Sequence, residues 1–186
     1  MELLWIAGLA ASGVAGGAWY SHNRLVALDS RCESALADID VQLKHRHSLL
    51  PNLFETVKAF TAHERGTIEA VATARAAALR ATSPEAQMQA EAALGRGIAQ
   101  LFTIAESYPE LQASEHFRDL RRELADTENK IAAARRFLNA AVNEYNSTLR
   151  QFPANLIAGA ARLHKRAFYD IGIERVLADD APVFKH

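Results

Sequence analysis

The sequence predicts an all-α protein in which an N-terminal transmembrane helix is followed by a long antiparallel up-and-down four-helix bundle. Three observations predict this fold: an uncharged N-terminal stretch, apolar residues at steps of three and four through most of the chain, and few helix breakers. Only nine glycines and five prolines occur among 186 residues, as is typical of extended helix. We expect an anchor over residues 1–20, a bundle over 21–163 and a C-terminal tail over 164–186.

The predicted anchor lies in residues 3–20, which carry no charge and as a helix would be about 27 Å long, close to the hydrocarbon thickness of a bilayer. Trp5 at one end and Trp19 with Tyr20 at the other suit the two interfacial zones of a membrane. A cleaved signal peptide is the alternative, but Met1 and Glu2 supply no basic segment before the apolar run. A retained anchor in the lipid bilayer is therefore expected.

Two further features of this region bear on orientation and assembly. Arg24 and Arg31 follow the predicted span, which by the positive-inside rule places the bulk of the chain in the cytoplasm. Gly8, Ser12 and Gly16 are spaced four residues apart, so one face of the anchor lacks bulky side chains. That face favours close approach of a second helix and predicts a homo-oligomer.

The first helix of the bundle is predicted by an apolar stripe at steps of three and four, formed by Leu25, Leu28, Cys32, Ala35, Ile39 and Leu43. Pro51 then interrupts the helix, and Ser48 is a suitable cap for a new one, so either a turn or a kink is expected there. The second helix is expected to reach the break at Ser83 and Pro84, and the third to run over residues 85–107.

The fourth helix has the clearest periodicity, a heptad seam formed by Phe117, Leu120, Leu124, Thr127, Ile131, Ala134, Leu138, Ala141 and Tyr145. A seam of this length favours shallow crossing angles of about 20° and nearly parallel helix axes. Beyond Pro153 the pattern weakens; residues 156–163 are predicted as a short helix, followed by a tail that docks on the bundle.

Charge and cysteine content exclude several functions. The 21 basic and 22 acidic residues give a formal net charge of −1, so no nucleic-acid partner is expected. The single Cys32 excludes an internal disulfide and a cysteine-rich zinc site, and we interpret it as a small apolar packing residue.

Several segments together resemble the LemA family: IDVQLK at 39–44, LPNL at 50–53, ETVK at 55–58, AESYP at 105–109, TENKI at 127–131 and EYN at 144–146. The resemblance covers roughly residues 20–186. It implies an up-and-down four-helix bundle behind a membrane-spanning helix in bacteria, with a relative that acts in magnetosome membrane formation. His45, Ser48 and Leu138 depart from the residues usual in the family, which has no established catalytic residues to lose.

The sequence predicts no enzyme, no cofactor and no metal site. No glutamate is followed by histidine three residues later, as a di-iron bundle site requires. His63 and Glu64 lack the second histidine of a zinc-protease motif, and neither a phosphate-binding loop nor a nucleophile elbow occurs. His45 and His47 point to different helix sides, and each is interpreted as a solvated or packing residue.

Polar residues cluster around Pro51 in numbers that an outer helix face cannot all accommodate: Asp38, Asp40, Gln42, Arg46, Asn52, Glu55, Thr56, His63, Glu64 and Arg75. The structural interpretation is that paired polar groups fix the helix register and the turn or kink. The functional alternative is a partner-binding patch.

The expected function is that of a membrane-anchored, non-enzymatic scaffold or assembly protein at a bacterial inner (cell) membrane. Such a protein would self-associate or recruit an unidentified membrane protein partner. The alternative is a membrane-associated ligand- or metal-binding sensor linked to envelope stress.

Overall fold

The fold is all-helical in the computed structural model, which describes residues 2–61, 64–161 and 163–169. The helices are α1 (Glu2–Phe60), α2 (Arg65–Arg80), α3 (Pro84–Ala105), α4 (Pro109–Ala113), α5 (Glu115–Thr148) and α6 (Ala154–Ala160). No strand occurs within these three ranges, which confirms the all-α prediction.

The predicted transmembrane helix is wrong. Residues 3–20 are helical, as the first part of α1, but no helix in the described part of the chain is both long and apolar enough to cross a membrane. Ten of these eighteen residues are Ala, Gly or Ser, whose small side chains gain little from transfer into lipid. The prediction rested on the length of the uncharged stretch and gave too little weight to its modest hydropathy. Without this span, the predicted single-pass topology is no longer supported.

The chain forms two compact units. Unit 1 comprises Met1–Val41 and Ile131–Asp170, and unit 2 comprises Gln42–Lys130 together with a C-terminal part that lies outside the described residues. Helices α1 and α5 each contribute residues to both units. The single bundle over residues 21–163 therefore stays a prediction.

Unit 2 has an apolar core supplied by all five of its helical segments: Leu49, Leu50, Leu53, Phe54, Val57, Ile68, Val71, Leu94, Ile98, Leu101, Ala105, Leu111, Phe117, Leu120 and Leu124. Helix α3 begins at Pro84, one residue before the predicted start, because the Ser83 hydroxyl accepts a hydrogen bond from the Ala86 amide at 3.1 Å. Helices α2 and α3 approach closely at Gly97, where a Cβ atom would lie 3.0 Å from Val71 Cγ2.

Pro51 lies inside α1, so the predicted start of a new helix at Ser48 is wrong. The Ser48 hydroxyl instead donates to the His45 carbonyl at 2.7 Å. Pro51 has no N–H for the His47 carbonyl, its expected helical partner four residues earlier. That carbonyl accepts a hydrogen bond from Arg75 Nε of α2 at 3.2 Å. A side chain from another helix thus replaces the missing backbone donor.

Unit 1 confirms the predicted apolar stripes where they fall within it. On α1, Leu25, Leu28, Cys32, Ala35 and Ile39 are buried; on α5, so are Ile131, Leu138, Ala141 and Tyr145. Burial raises the pKa of the Cys32 thiol, in keeping with a packing role. After α6, residues 163–169 run without regular secondary structure and hydrogen-bond to α5. The rest of the predicted tail, residues 170–186, lies outside the described residues.

Candidate functional site

Unit 2 contains a group of charged side chains in its interior, formed by Arg46 and His47 of α1, Glu91 of α3 and Glu128 of α5; we call it the ion cluster. The side chains of Arg46 and Glu91 are only 2% and 1% exposed. Charged side chains are rarely buried to this extent without a partner, so their bonds determine what the cluster does.

The local sequence places both central charges on apolar helix faces. Arg46 continues the apolar spacing of α1 set by Leu43 and Leu50, at steps of three and four. Glu91 occupies the equivalent position on α3, three residues before Leu94 and seven before Ile98. Because residues at this spacing share one helix face, the two opposite charges are both directed into the core.

The two oxygens of Glu91 are both engaged. Arg46 Nη2 contacts Glu91 Oε2, and His47 Nε2 forms a hydrogen bond with Glu91 Oε1 at 2.8 Å. Arg46 Nη1 also donates to Glu128 Oε2 at 2.8 Å, and the Glu128 side chain is 53% exposed. The cluster therefore runs from a fully buried carboxylate to one at the protein surface.

The bonds of Glu91 keep it ionised. Burial alone would raise the pKa of Glu91, but the hydrogen bond with His47 and the charge of Arg46 outweigh burial and lower the pKa below its ordinary value. Glu91 is thus a buried carboxylate compensated by neighbouring donors. Such an arrangement fixes the register of α1 against α3, since displacement of either helix would strand a charge.

Two buried side-chain nitrogens in the cluster lack a hydrogen-bond partner within the described ranges, Arg46 Nε and His47 Nδ1. No group of three or more His, Cys, Asp or Glu side chains able to hold a metal ion occurs in that part of the chain. With both Glu91 oxygens already bonded, the arrangement has the chemistry of a structural ion network, and no proton-transfer role is assigned to it.

The structure brings only part of the predicted polar cluster together. Arg46 belongs to the ion cluster, and Arg75 donates to the backbone carbonyl of the next residue of α1, His47. Glu64 accepts a hydrogen bond from the Tyr108 hydroxyl at 3.1 Å, which raises the pKa of that hydroxyl. Gln42 and Thr56 are half-buried.

The remaining predicted polar residues are placed elsewhere. The exposed residues Asp38, Asp40, Asn52 and Glu55 contribute nothing to the core, and His63 lies outside the described residues. On the predicted packing face of the anchor, Ser12 and Gly16 are exposed, and the surroundings of Gly8 lie outside what the structure describes. Whether a second helix packs against this face stays a prediction.

Glu91, Glu128 and the role of His47 were missing from the sequence-based site. A signal existed for Glu91, because it interrupts an apolar stripe at a position where Leu or Ala would continue the pattern. No local pattern distinguishes Glu128 from the other charged residues of α5. Its role depends on the neighbouring Arg46, which is 82 residues away in sequence.

A second polar arrangement lies in unit 1, where Asn139 and Asn146 of α5 bind the main chain of residues 163–169; we call it the asparagine clamp. The Asn146 amide donates to the Arg166 carbonyl at 2.9 Å and accepts from the Arg166 N–H at 3.0 Å. Asn139 makes the same pair of bonds with Tyr169, at 3.2 and 2.8 Å. Sequence reasoning missed both asparagines.

Unit 1 also carries an exposed apolar segment at the start of α1. The large apolar side chains whose burial the structure describes there are 63% to 75% exposed, namely Trp5, Ile6, Leu9, Trp19 and Tyr20. From Ser21 onward the same helix is buried at regular intervals.

Comparison with known proteins identifies the family. A family profile described as the LemA family matches residues 35–182, which is most of the chain. The chain belongs to the LemA family. This confirms the resemblance found in the sequence, and the match includes the ion cluster and the asparagine clamp of this LemA-family chain.

The individual relatives that match the chain have low sequence identity to it. The chain is 28% identical over 99 residues to magnetosome proteins MamQ 1 and MamQ 2 of Paramagnetospirillum magneticum, over 53% of this chain and 35% of each relative. It is 28% identical over 74 residues to magnetosome protein MamQ of Magnetospirillum gryphiswaldense, over 40% of this chain and 27% of the relative. The chain thus spans about a third of the length of the curated relatives it matches.

Proposed function

We propose that this LemA-family chain is a non-enzymatic assembly protein that lies at the surface of a bacterial membrane and recruits a partner there. One observation carries the proposal: the exposed apolar segment at the start of α1, from Trp5 to Tyr20, where the large side chains with described burial are not part of a core. Contiguous exposed apolar surface of this kind marks sites of interaction with lipid or protein.

The two parts of α1 differ sharply in burial. Where burial is described between residues 5 and 20, no residue is buried, whereas Ser21, Leu25, Leu28 and Cys32 are buried at steps of four and three. The apolar surface of the first part therefore does not contribute to a described core of the protein. Trp5, Trp19 and Tyr20 have the amphipathic rings that favour the interface between lipid and water, which supports a helix lying in that interface.

Two other observations support an assembly role. The charged groups of the ion cluster bond to one another, which suits a stabilising function. The matched relatives are named magnetosome proteins, which is consistent with a part in building a cellular structure.

Vesicle flotation tests the proposal with the full chain. Vesicles of phosphatidylcholine and phosphatidylglycerol are floated through a density gradient, and the protein in the vesicle fraction is measured. We expect the parent chain to float and a variant with Trp5→Ser and Leu9→Ser to partition at least about 10-fold less, because each large apolar side chain contributes roughly 2 kcal/mol on leaving water. The matched control is Leu36→Ser with Val41→Ser, which alters two exposed apolar residues elsewhere on α1.

The outcomes separate the parts of the proposal. A parent chain that stays in the aqueous fraction would overturn the membrane role. Equal flotation of the parent and the Trp5/Leu9 variant would overturn the assignment of lipid contact to this segment. Loss of flotation in the Leu36/Val41 control as well would show that the effect is not specific to residues 5–20.

A further inference from the structure

Residues 163–169 contact α5 in the way that an extended peptide contacts a receptor. Each clamp asparagine uses its side-chain amide as both donor and acceptor, and pairs with the N–H and carbonyl of a single residue. These bonds involve only the main chain of Arg166 and Tyr169. They therefore recognise an extended backbone without regard to the side chains at those two positions.

The spacing of the clamp matches an extended chain. Asn139 and Asn146 are seven residues apart on α5, a rise of about 10.5 Å along the helix axis. Arg166 and Tyr169 are three residues apart, which in an extended chain is about 10 Å. The two spacings match, so Asn146 and Asn139 can bind Arg166 and Tyr169 at the same time. A shift of the segment by one residue would break both pairs of hydrogen bonds.

Side-chain selectivity comes from the flanking charges. Arg166 Nε donates to Asp29 Oδ1 at 2.6 Å, and Arg166 Nη2 donates to Glu33 Oε1 at 3.1 Å. Tyr169 follows Arg166 by three residues, and the centre of its ring lies 5.3 Å from the Arg135 guanidinium. The acidic pair selects an arginine, and the guanidinium selects an aromatic ring three positions later.

The segment that occupies the groove is only partly buried. His164, Lys165, Ala167 and Phe168 are exposed, and the Arg166 side chain is 30% exposed. Arg135 Nε is buried and has no hydrogen-bond partner in the described part of the chain, so the segment leaves one donor of the groove unused. Little apolar surface opposes release of the segment, and local opening of such a region costs little.

We propose that this groove, formed by Asp29 and Glu33 of α1 and by Asn139 and Asn146 of α5, binds an extended segment of a partner protein that carries an arginine followed three residues later by an aromatic residue. Residues 163–169 are then a built-in competitor that the partner displaces. The inference names the chemistry of the partner in the proposed recruiting role, on which it rests. A second copy of the chain is the weaker occupant, because its identical segment has no advantage over one tethered nearby at high effective concentration.

Peptide binding to the full chain tests the proposal. The probe is a fluorescein-labelled peptide with the sequence of residues 163–169, LHKRAFY, and the readout is fluorescence anisotropy. We expect weak binding to the parent chain, because the tethered segment competes. In a chain with Arg166→Glu, whose own segment is repelled by Asp29 and Glu33, the probe should bind at least about 10-fold more tightly.

Matched variants locate the binding. In the Arg166→Glu background, Asn139→Ala with Asn146→Ala should abolish the gain, whereas Asn143→Ala, an exposed asparagine of the same helix, should leave it unchanged. In a separate chain with Asp29→Lys and Glu33→Lys, the charge preference should reverse, so that a probe with glutamate in place of its arginine binds more tightly than the original probe. Circular dichroism checks that each variant is folded.

Three results would overturn the proposal: no probe binding by a folded Arg166→Glu chain, equal loss of binding with Asn143→Ala, or an unchanged charge preference in the lysine variant. A concentration-dependent dimer of the parent that Arg166→Glu abolishes would show that a second copy supplies the segment, and would overturn the assignment to a partner. The assay contains no membrane, so its failure leaves the proposed membrane contact standing, and failure of vesicle flotation does not alter its result.

Discussion

The ion cluster of unit 2 and the asparagine clamp of unit 1 use polar groups in opposite ways. In the ion cluster, charged side chains bond to each other, and Arg46 and Glu91 are almost completely removed from water. In the clamp, neutral amides bond to the main chain, while the charged Arg166 remains 30% exposed. The first arrangement is complete in itself, and the second is the one proposed to admit an extended chain with an arginine followed three residues later by an aromatic residue.

The difference follows from the cost of removing groups from water. A buried charge without its partner is strongly unfavourable, so each member of the ion cluster depends on the others. Hydrogen bonds between neutral amides exchange with water at small net cost. We therefore expect the ion cluster to govern the global stability of unit 2, and the clamp to govern local opening of residues 163–169. Four predictions test this contrast, in order of decreasing effect.

The largest expected effect is that of Glu91→Gln. This change removes the charge that compensates buried Arg46, and we expect the free energy of unfolding to fall by about 3 kcal/mol. Urea denaturation followed by circular dichroism measures the loss. Glu85→Gln, at an exposed glutamate of the same helix, is the control and should cost less than about 0.5 kcal/mol. Similar losses in both variants would contradict the assigned role of the ion cluster.

Acid should remove part of the same stabilisation. The pKa of Glu91 is lowered in the folded protein, so the contribution of its charge is fully present above its ordinary pKa of 4.5 and is lost as the pH falls through the lowered folded-state value. The stability gap between the parent and Glu91→Gln should therefore be constant from pH 7 to about 5 and narrow below 4.5. Urea midpoints at pH 7, 5, 4 and 3 test this, and a gap that stays constant down to pH 3 would exclude it.

The hydrogen bond between Arg75 and the His47 carbonyl should contribute an intermediate amount. We expect Arg75→Met to destabilise the parent by about 1–2 kcal/mol, because the carbonyl left free by Pro51 loses its donor. In a Pro51→Ala background, a backbone N–H is available again, so the same change should cost less. A double-mutant cycle in urea measures the coupling, with exposed Arg80→Met as the control. Additive costs would show that Arg75 does not replace the missing N–H.

Asn146→Ala should have the smallest global effect, about 1 kcal/mol or less, despite removing two hydrogen bonds. Its main effect should be local: amide hydrogen exchange in residues 163–169 should become roughly 10-fold faster, since these residues open without unfolding of unit 1. Asn143→Ala should leave both quantities unchanged. Exchange that accelerates equally throughout α5 would show that the clamp is part of the core instead.

The regular helices were the most predictable part of the molecule. The seam of α5 was predicted residue by residue, and all nine positions are buried except Ala134, which is half-buried. Such patterns are local, because residues three and four apart share a helix face whatever the rest of the chain does. The start of α3 was equally predictable, since Ser83 and Pro84 define it within two residues.

The wrong predictions concern features that depend on residues distant in sequence or on the summed hydropathy of many small side chains. Either a turn or a kink was expected at Pro51, and the expectation of a new helix there took no account of Arg75, which lies 28 residues beyond the His47 carbonyl that it satisfies. Likewise, Glu91 and the clamp asparagines form their hydrogen bonds with residues that are distant in sequence. The transmembrane prediction failed for another reason: a stretch without charge was taken as apolar enough to cross lipid, although small residues make up more than half of it.

The position of Pro51 inside α1 has a consequence for folding during synthesis. Synthesis proceeds from the N-terminus, so Pro51 leaves the ribosome before Arg75 does, and the His47 carbonyl is at first satisfied only by water. A nascent α1 therefore lacks one backbone hydrogen bond at residues 47–51, and the bond from Arg75 replaces it only when α2 docks. A chaperone or protease that acts on the growing chain would meet a backbone carbonyl without its final donor in this turn.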